Sequence, residues 1–352
     1  METHTPDAHR PFAPLPGPAE AFIRDLPKVE LHVHLEGSMR PATLFDLARR
    51  NGVEGIPGTL EAVRDWYAFT DFPHFIDVYL ASVATLRSED DFALLAGDVA
   101  GTLAAQNVRY AEVHVSLYAH LMRGVDARTV FSGIERARVR AAREHGIELR
   151  WIPDFPGDYG VESGEETLDA VLAHGPDSVV GFGVGGIEVP RTPFADLFAG
   201  ARKAGLRSLP HAGEVGGVER VREALDDLAA ERLGHGIQAM EDPELVARLR
   251  DERVPVDVSP TSNLRTRAVE SIAGHPLPRM LDAGLLATLN SDDPPMFGTD
   301  LTGEYRTAHR LGLDLPTLAL LARNGVDASF MNGTRKTGLK AEIDEVLARY
   351  TA

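Results

Sequence analysis

Short apolar runs of strand-like composition alternate along this chain with longer amphipathic stretches. Eight of the short runs stand out: Lys28 to Leu35, Arg109 to Val115, Ile147 to Phe155, Ser178 to Val184, Arg207 to His211, Arg232 to Ile237, Val254 to Ser259 and Leu285 to Asn290. Such alternation predicts parallel strands joined by helical crossovers. Eight units of this kind close a (β/α)8 barrel of the TIM type, so a single α/β barrel is the predicted fold. A doubly wound open sheet alternates in the same way, but the glycine-rich phosphate loop that usually follows its first strand is missing. The first run ends instead in His-Val-His.

The stretch between the first two runs is too long for one crossover and predicts a helical insertion after strand one. It contains FTDFPHFIDVY, Phe69 to Tyr79, in which Phe72, Phe75, Ile76 and Tyr79 recur at helical spacing, with Asp71 as a cap and Pro73 in the first turn. Two readings stand side by side: an ordinary core-facing stripe, or a lid whose apolar side chains shield a flat base from water. Beyond Pro316 the pattern predicts C-terminal helices that complete the outer ring. The first twenty residues, METHTPDAHRPFAPLPGPAE, read as a flexible Pro-rich tail, with the barrel domain spanning 21–352.

Composition supports one large globular unit. At 352 residues two average domains could fit, but barrels of this kind routinely exceed that average as one. A content of 43% apolar and 7% aromatic residues is enough for a sizeable core. A formal net charge of -17 argues against nucleic acid as a partner, because phosphate backbones are bound by lysines and arginines. Small neutral or cationic substrates suit the chain better. Cysteine is absent, so disulfides, thiolate metal sites and thiol nucleophiles are excluded, and any metal must sit on His, Asp or Glu. The N-terminal stretch lacks the apolar core of a signal peptide and no apolar run approaches bilayer length; a cytoplasmic protein without a membrane partner is expected.

The chemistry lies at the ends of the strand runs. His32 and His34 are two apart on the first strand, so alternation puts both on one face, where they can grip one ion or serve as structural histidines. Acids and imidazoles recur at other strand ends: His211 in PHAGE, His235 in RLGHGI, and Asp292 with Asp293 in LNSDDP. Barrel enzymes build their sites from strand C-termini, so these elements converge on one mouth. Neutral imidazoles with a carboxylate suit zinc, which keeps a position open for water in catalytic sites. Glu214, three residues beyond His211, is either a helix N-terminal acid favoured by the dipole or a general acid beside the metal. His114 is a supporting group or a core histidine, and His275 is expected to be solvated or packed.

Taken together, KVELHVHLEGS, HAGEVGG, RLGHGI, SPTSNL and LNSDDPPMFGTDL resemble the motifs of the adenosine deaminase family, in that family's order and over roughly residues 26–302. The resemblance implies one zinc per chain, held by His32, His34, His211 and Asp292. It implies that Glu214 protonates the purine at N1, that His235 and Asp293 handle the attacking water, and that the Gly186 backbone contacts the purine ring. Deamination at C6 then gives the 6-oxo purine and ammonia. Relatives with two metals use a bridging modified lysine on strand four, and VVGFGVGG has none.

Two departures bear on the substrate. Glu36 stands where many adenosine deaminases have Asp, at the residue that resembles the one contacting the ribose 5′-hydroxyl. The family's DLAGDE reads GVGGIE here, with Gly183 and Ile187 in place of two acids. Three substrates follow in order: adenosine, an adenosine carrying a 5′ extension such as aminodeoxyfutalosine, and free adenine, whose deaminases also favour Glu after the first His pair. A binding protein that has kept this fold and lost catalysis is the alternative of another class, and the intact ligand set and Glu214 argue against it.

Overall fold

The computed structural model describes residues 14–69 and 72–351. Among these residues nine parallel strands run in chain order: β1 (Lys28–His34), β2 (Val108–Val115), β3 (Glu148–Pro156), β4 (Gly181–Gly185), β5 (Arg207–Ser208), β6 (His211–Ala212), β7 (Leu233–His235), β8 (Val256–Val258) and β9 (Ala287–Leu289). β5 and β6 are two halves of one barrel strand, parted at Leu209 and Pro210, because proline has no N–H to give a ladder. Leu209 N still donates to Phe182 O, and Gly234 N to Pro210 O, so the strand stays in place between its neighbours.

The barrel closes between its last and first strands. Asp292 N donates to His32 O and His34 N donates to Asp292 O, each at 2.9 Å, in a parallel bridge just beyond β9. The predicted eightfold alternation is therefore present, with strand ends shifted by at most three residues. The largest shift is in β4, which begins at Gly181 rather than Ser178; Val179 makes only an isolated bridge to Trp151.

Helices fill the crossovers. The predicted insertion comprises Pro41–Asn51, Leu60–Trp66, Phe72–Thr85 and Glu89–Ala105, the last opened by a capping box in which Ser88 and Asp91 satisfy each other's backbone amides. The cap expected at Asp71 lies outside the described residues. Leu301–Arg310, Leu315–Ala328 and Gly333–Thr351 form the C-terminal helices, the first two capped by Asp300 and Asp314. The N-terminal boundary differs from the expected one. A helix already begins at Pro18, where Glu20 accepts from Arg306 Nε at 3.0 Å and ties the segment to the barrel; residues 1–13 lie outside the described residues. No helix among the described residues is long and apolar enough to cross a membrane.

The barrel's floor is polar, which periodicity did not predict. Fully buried Arg232 binds Glu112 at 2.7 Å and Asp257 at 2.5 Å, Tyr110 Oη donates to Glu112 Oε1, and Thr288 Oγ1 donates to Asp257 Oδ1. Such a network is tolerated because its members satisfy one another; removing one would leave an unpaired buried charge.

Candidate active site

β1 is buried up to its half-buried last residue, His34, with Val33 facing the helices and His32 and His34 facing the barrel axis. The two hydrogen bonds that close the barrel place Asp292 directly across from this pair. His211 enters from β6 and His235 ends β7. His235 and Asp292 have left-handed backbones, at φ 64° and 65°. Non-glycine residues avoid that region, so holding two of them there costs free energy that the surrounding packing must offset. Those turns re-aim both side chains into the mouth. Gly37 serves the same site: a Cβ there would lie 1.5 Å from Asp293 Oδ1.

Four side chains meet at one point. His34 Nε2 lies 3.2 Å from His211 Nε2 and 3.4 Å from Asp292 Oδ1, and His32 Nε2 lies 3.7 Å from Asp292 Oδ1. Ligand atoms about 2.0–2.1 Å from a tetrahedral zinc sit roughly 3.3–3.4 Å apart; the two His34 separations lie close to this and the His32 separation is longer. His211 Nδ1 donates to Val184 O at 3.1 Å, so its Nε2 faces His34 with a bare lone pair. Both nitrogens of His32 are buried without a hydrogen-bond partner among the described residues. Bare lone pairs pointed at one another repel, and a shared cation removes the conflict. Burial and the neighbouring imidazoles hold His32 and His211 well below the usual histidine range, so both are neutral and ready to ligate. The donor set fits zinc. A second grouping, His32, His235 and Asp292, also comes within ligating reach.

Around these four lie groups without an assigned role in the sequence reading. Ser262 Oγ donates to Asp292 Oδ2 at 2.6 Å, and Thr266 Oγ1 donates to Glu214 Oε1 at 2.6 Å. Asn263 Nδ2 lies 3.2 Å from Glu214 Oε1 and 3.1 Å from His235 Nδ1. All three belong to the SPTSNLRT stretch, whose density of polar residues straight after a strand was the available signal. Glu188 accepts from Gly213 N at 2.5 Å, Val215 N at 2.7 Å and Gly216 N, which fixes the loop that presents Glu214. Arg191, fully buried, grips His211 O. Asp154 of β3 lies 3.1 Å from His114 Nδ1 and 3.8 Å from His34 Nδ1. Its register partner is Gly183, where a Cβ would come within 3.2 Å of Asp154 Cβ.

A cavity of about 400 Å3 opens above these groups. His34, Asp154, His211, Glu214, His235, Asp292 and Asp293 line its depth, together with the backbone at Gly186. Burial pushes the Glu214 carboxyl up. It pushes Asp293 further, with Asp292 adding like charge beside it. At His235 burial acts downward, but the carboxylates of Glu214 and Asp292 outweigh it and raise the imidazole. Phe75, Ile76, Tyr79 and Leu80 of the helix Phe72–Thr85 form one wall, so the stripe meets the cavity as a lid would, while Phe75 also packs in the core.

One expected contact is corrected. Glu36 is fully buried and does not line the cavity: Oε1 is held by His120 Nε2 at 2.8 Å and Oε2 by Ser116 N at 3.2 Å. Its longer side chain reaches past the mouth and braces Ser116, which does line the wall and bonds Tyr79 Oη at 2.7 Å.

The sequence model described as adenosine deaminase matches residues 27–346. The chain is 48% identical over 337 residues to an aminodeoxyfutalosine deaminase of Streptomyces avermitilis, covering 94% of each protein. It resembles the crystal structure of an adenine deaminase from Arthrobacter aurescens with a TM-score of 0.88 at 39% identity, over 92% of this chain and 99% of that one. A zinc-bound amidohydrolase from Burkholderia ambifaria superposes with a TM-score of 0.86 at 28% identity, over 97% of each chain.

Proposed function

Because this chain belongs to the adenosine deaminase family, as a zinc-dependent hydrolase of aminopurines, we propose that its substrate is an adenosine extended at the 5′ position. The observation that carries this reading is the cavity's outer wall. Of the nine large hydrophobic side chains exposed among the described residues, five line this one mouth: Leu80, Met122, Tyr159, Ile187 and Val215. Exposed apolar clusters of this kind mark binding surfaces. Free adenine would fill the depth and leave that rim wet. Adenosine, placed first from sequence, reaches it less well than an extended nucleoside does, and similarity to the aminodeoxyfutalosine deaminase supports the same choice.

His32, His34, His211 and Asp292 would hold the metal. Zinc bound there supplies a water acidic enough to lose its proton near neutral pH. Glu214, whose carboxyl burial pushes up, donates its proton to purine N1 and makes C6 electrophilic. His235 and Asp293 orient the water, whose oxygen adds to C6. The C6–N bond then breaks: the added oxygen gives its remaining proton to the amino group, which leaves as ammonia, the water's first proton restores Glu214, and the 6-oxo purine remains. Asp154, bonded to His114 at 3.1 Å, sets a carboxylate 3.8 Å from His34 Nδ1.

Three measurements test this reading. Metal analysis of the purified protein is expected to give about one zinc per chain, the number a single four-ligand site takes; two equivalents would overturn the mononuclear site. Asp154→Asn is expected to weaken zinc binding about 10–100-fold in a chelator competition, the usual cost of losing a group that orients a ligand. The third compares kcat/KM for adenine, adenosine, adenosine 5′-monophosphate and 5′-extended adenosines with neutral and carboxylated tails. The extended nucleosides are expected to lead. The monophosphate should trail adenosine on the order of 10²-fold, since no Lys or Arg lines the cavity among the described residues and its dianion would face several carboxylates. Adenine as the best of the set would overturn the proposal.

A further inference from the structure

His235 has two possible duties that its position alone does not separate: metal ligand, in the grouping with His32 and Asp292, or hydrogen-bond donor beside the metal. The choice depends on which ring nitrogen carries the proton, and a chain of contacts leading away from the cavity decides it. The chain starts at a backbone amide, whose polarity cannot be reversed. Leu277 N–H donates to His275 Nδ1 at 3.1 Å. His275 is buried, and burial pulls it down to about 4, so near neutral pH the ring is uncharged and its one proton sits on Nε2. That nitrogen lies 3.2 Å from Asn263 Oδ1 and donates to it. With its oxygen committed to His275, the Asn263 amide turns its NH2 the other way, toward Glu214 Oε1 and toward His235 Nδ1 at 3.1 Å. His235 Nδ1 must then accept.

We propose that His275 and Asn263 are positioning residues that fix His235 as the Nε2–H tautomer, which makes it a donor over the metal site and bars it from ligating. The grouping of His32, His235 and Asp292 then lacks its third ligand. The protonated Nε2 lies 3.6 Å from Glu214 Oε2 and 3.8 Å from Asp292 Oδ2, on the side where the water is handled. The carboxylates that raise His235 do not change this polarity, because a second proton on Nδ1 would face the Asn263 NH2, and a divalent cation alongside opposes it further. His275, read from sequence as a solvated or packed residue, thereby acts on catalysis through two intervening side chains.

The proposal rests on the site assignment above, but its test does not depend on the substrate. In zinc-loaded protein labelled with 15N-histidine, long-range 1H–15N correlation reports the tautomer of each imidazole, and the signal lost in His235→Ala assigns the ring. His235 is expected as a single species with the proton on Nε2. A proton on Nδ1, or zinc on Nε2, overturns the proposal whatever the enzyme deaminates. His275→Leu removes the source of the polarity. A second His235 tautomer should then appear, with kcat down about 10-fold or more, KM within about twofold and zinc retained, in line with losing an outer orienting group. An unchanged tautomer and an unchanged kcat in a folded His275→Leu protein would overturn the relay. If that variant fails to fold, the wild-type spectrum still decides the polarity.

Discussion

Glu214→Gln is expected to keep its zinc and to lose turnover on the order of 10² to 10⁴, the range for removing a positioned acid. The substitution is close to isosteric. The amide oxygen can take the place of Oε1 and go on accepting from Thr266 Oγ1 and Asn263 Nδ2. The amide NH2 then points where Oε2 did and can still donate a hydrogen bond to purine N1, but it cannot give up a proton. Binding should therefore survive, and the loss should fall on kcat rather than KM. Zinc content, measured on the same preparation, separates this from the other reading. If metal is lost and residual turnover tracks what remains, Glu214 is a ligand and the proton donor must be sought elsewhere.

His235→Ala is expected to lower turnover by about 10²–10³ while leaving zinc near its wild-type level, as when one preorganised donor is removed from a developing charge. The backbone at His235 is left-handed, and alanine carries the same Cβ, so the conformational cost is not relieved by the change. Asn263 and Glu214 lose a neighbour, but each keeps other partners, Asn263 in His275 and Glu214 in Thr266. Loss of zinc in parallel with activity would move His235 into the ligand set and replace the assignment made from its tautomer. A rate within about twofold of wild type would leave it a packed histidine with no catalytic part.

Much of the site could be read from residue types and their placement at strand ends. His34, His211, Asp292, Glu214, His235 and Asp293 do line one cavity, with His32 buried within ligating reach of them, as the alternation of strands and crossovers required. The lid reading of the stripe at Phe75, Ile76 and Tyr79 was also available, though not distinguishable from a core stripe, because apolar spacing is the same for both. Glu36 was misdirected for a different reason. A motif names the residue but not the direction of its side chain, and here one more methylene lets the carboxylate reach His120 behind the wall. The orienting groups Ser262, Asn263, Thr266, Glu188 and Asp154 were out of reach of periodicity, since each acts across the barrel on a residue distant in sequence.

By itself the sequence determined the architecture and the chemistry on offer: eight alternating units, no thiol, and imidazoles and carboxylates concentrated where barrel strands end. Tertiary structure alone decided which atoms of those residues face one another. Alternation specifies a face along one strand, whereas the meeting of His34, His211 and Asp292 depends on the bridge that closes the barrel and on left-handed turns at His235 and Asp292. The proton on His235 lies further still from sequence reasoning. It is set by a backbone amide at Leu277, through His275 and Asn263, and polarity of that kind exists only once the chain has brought those three groups together.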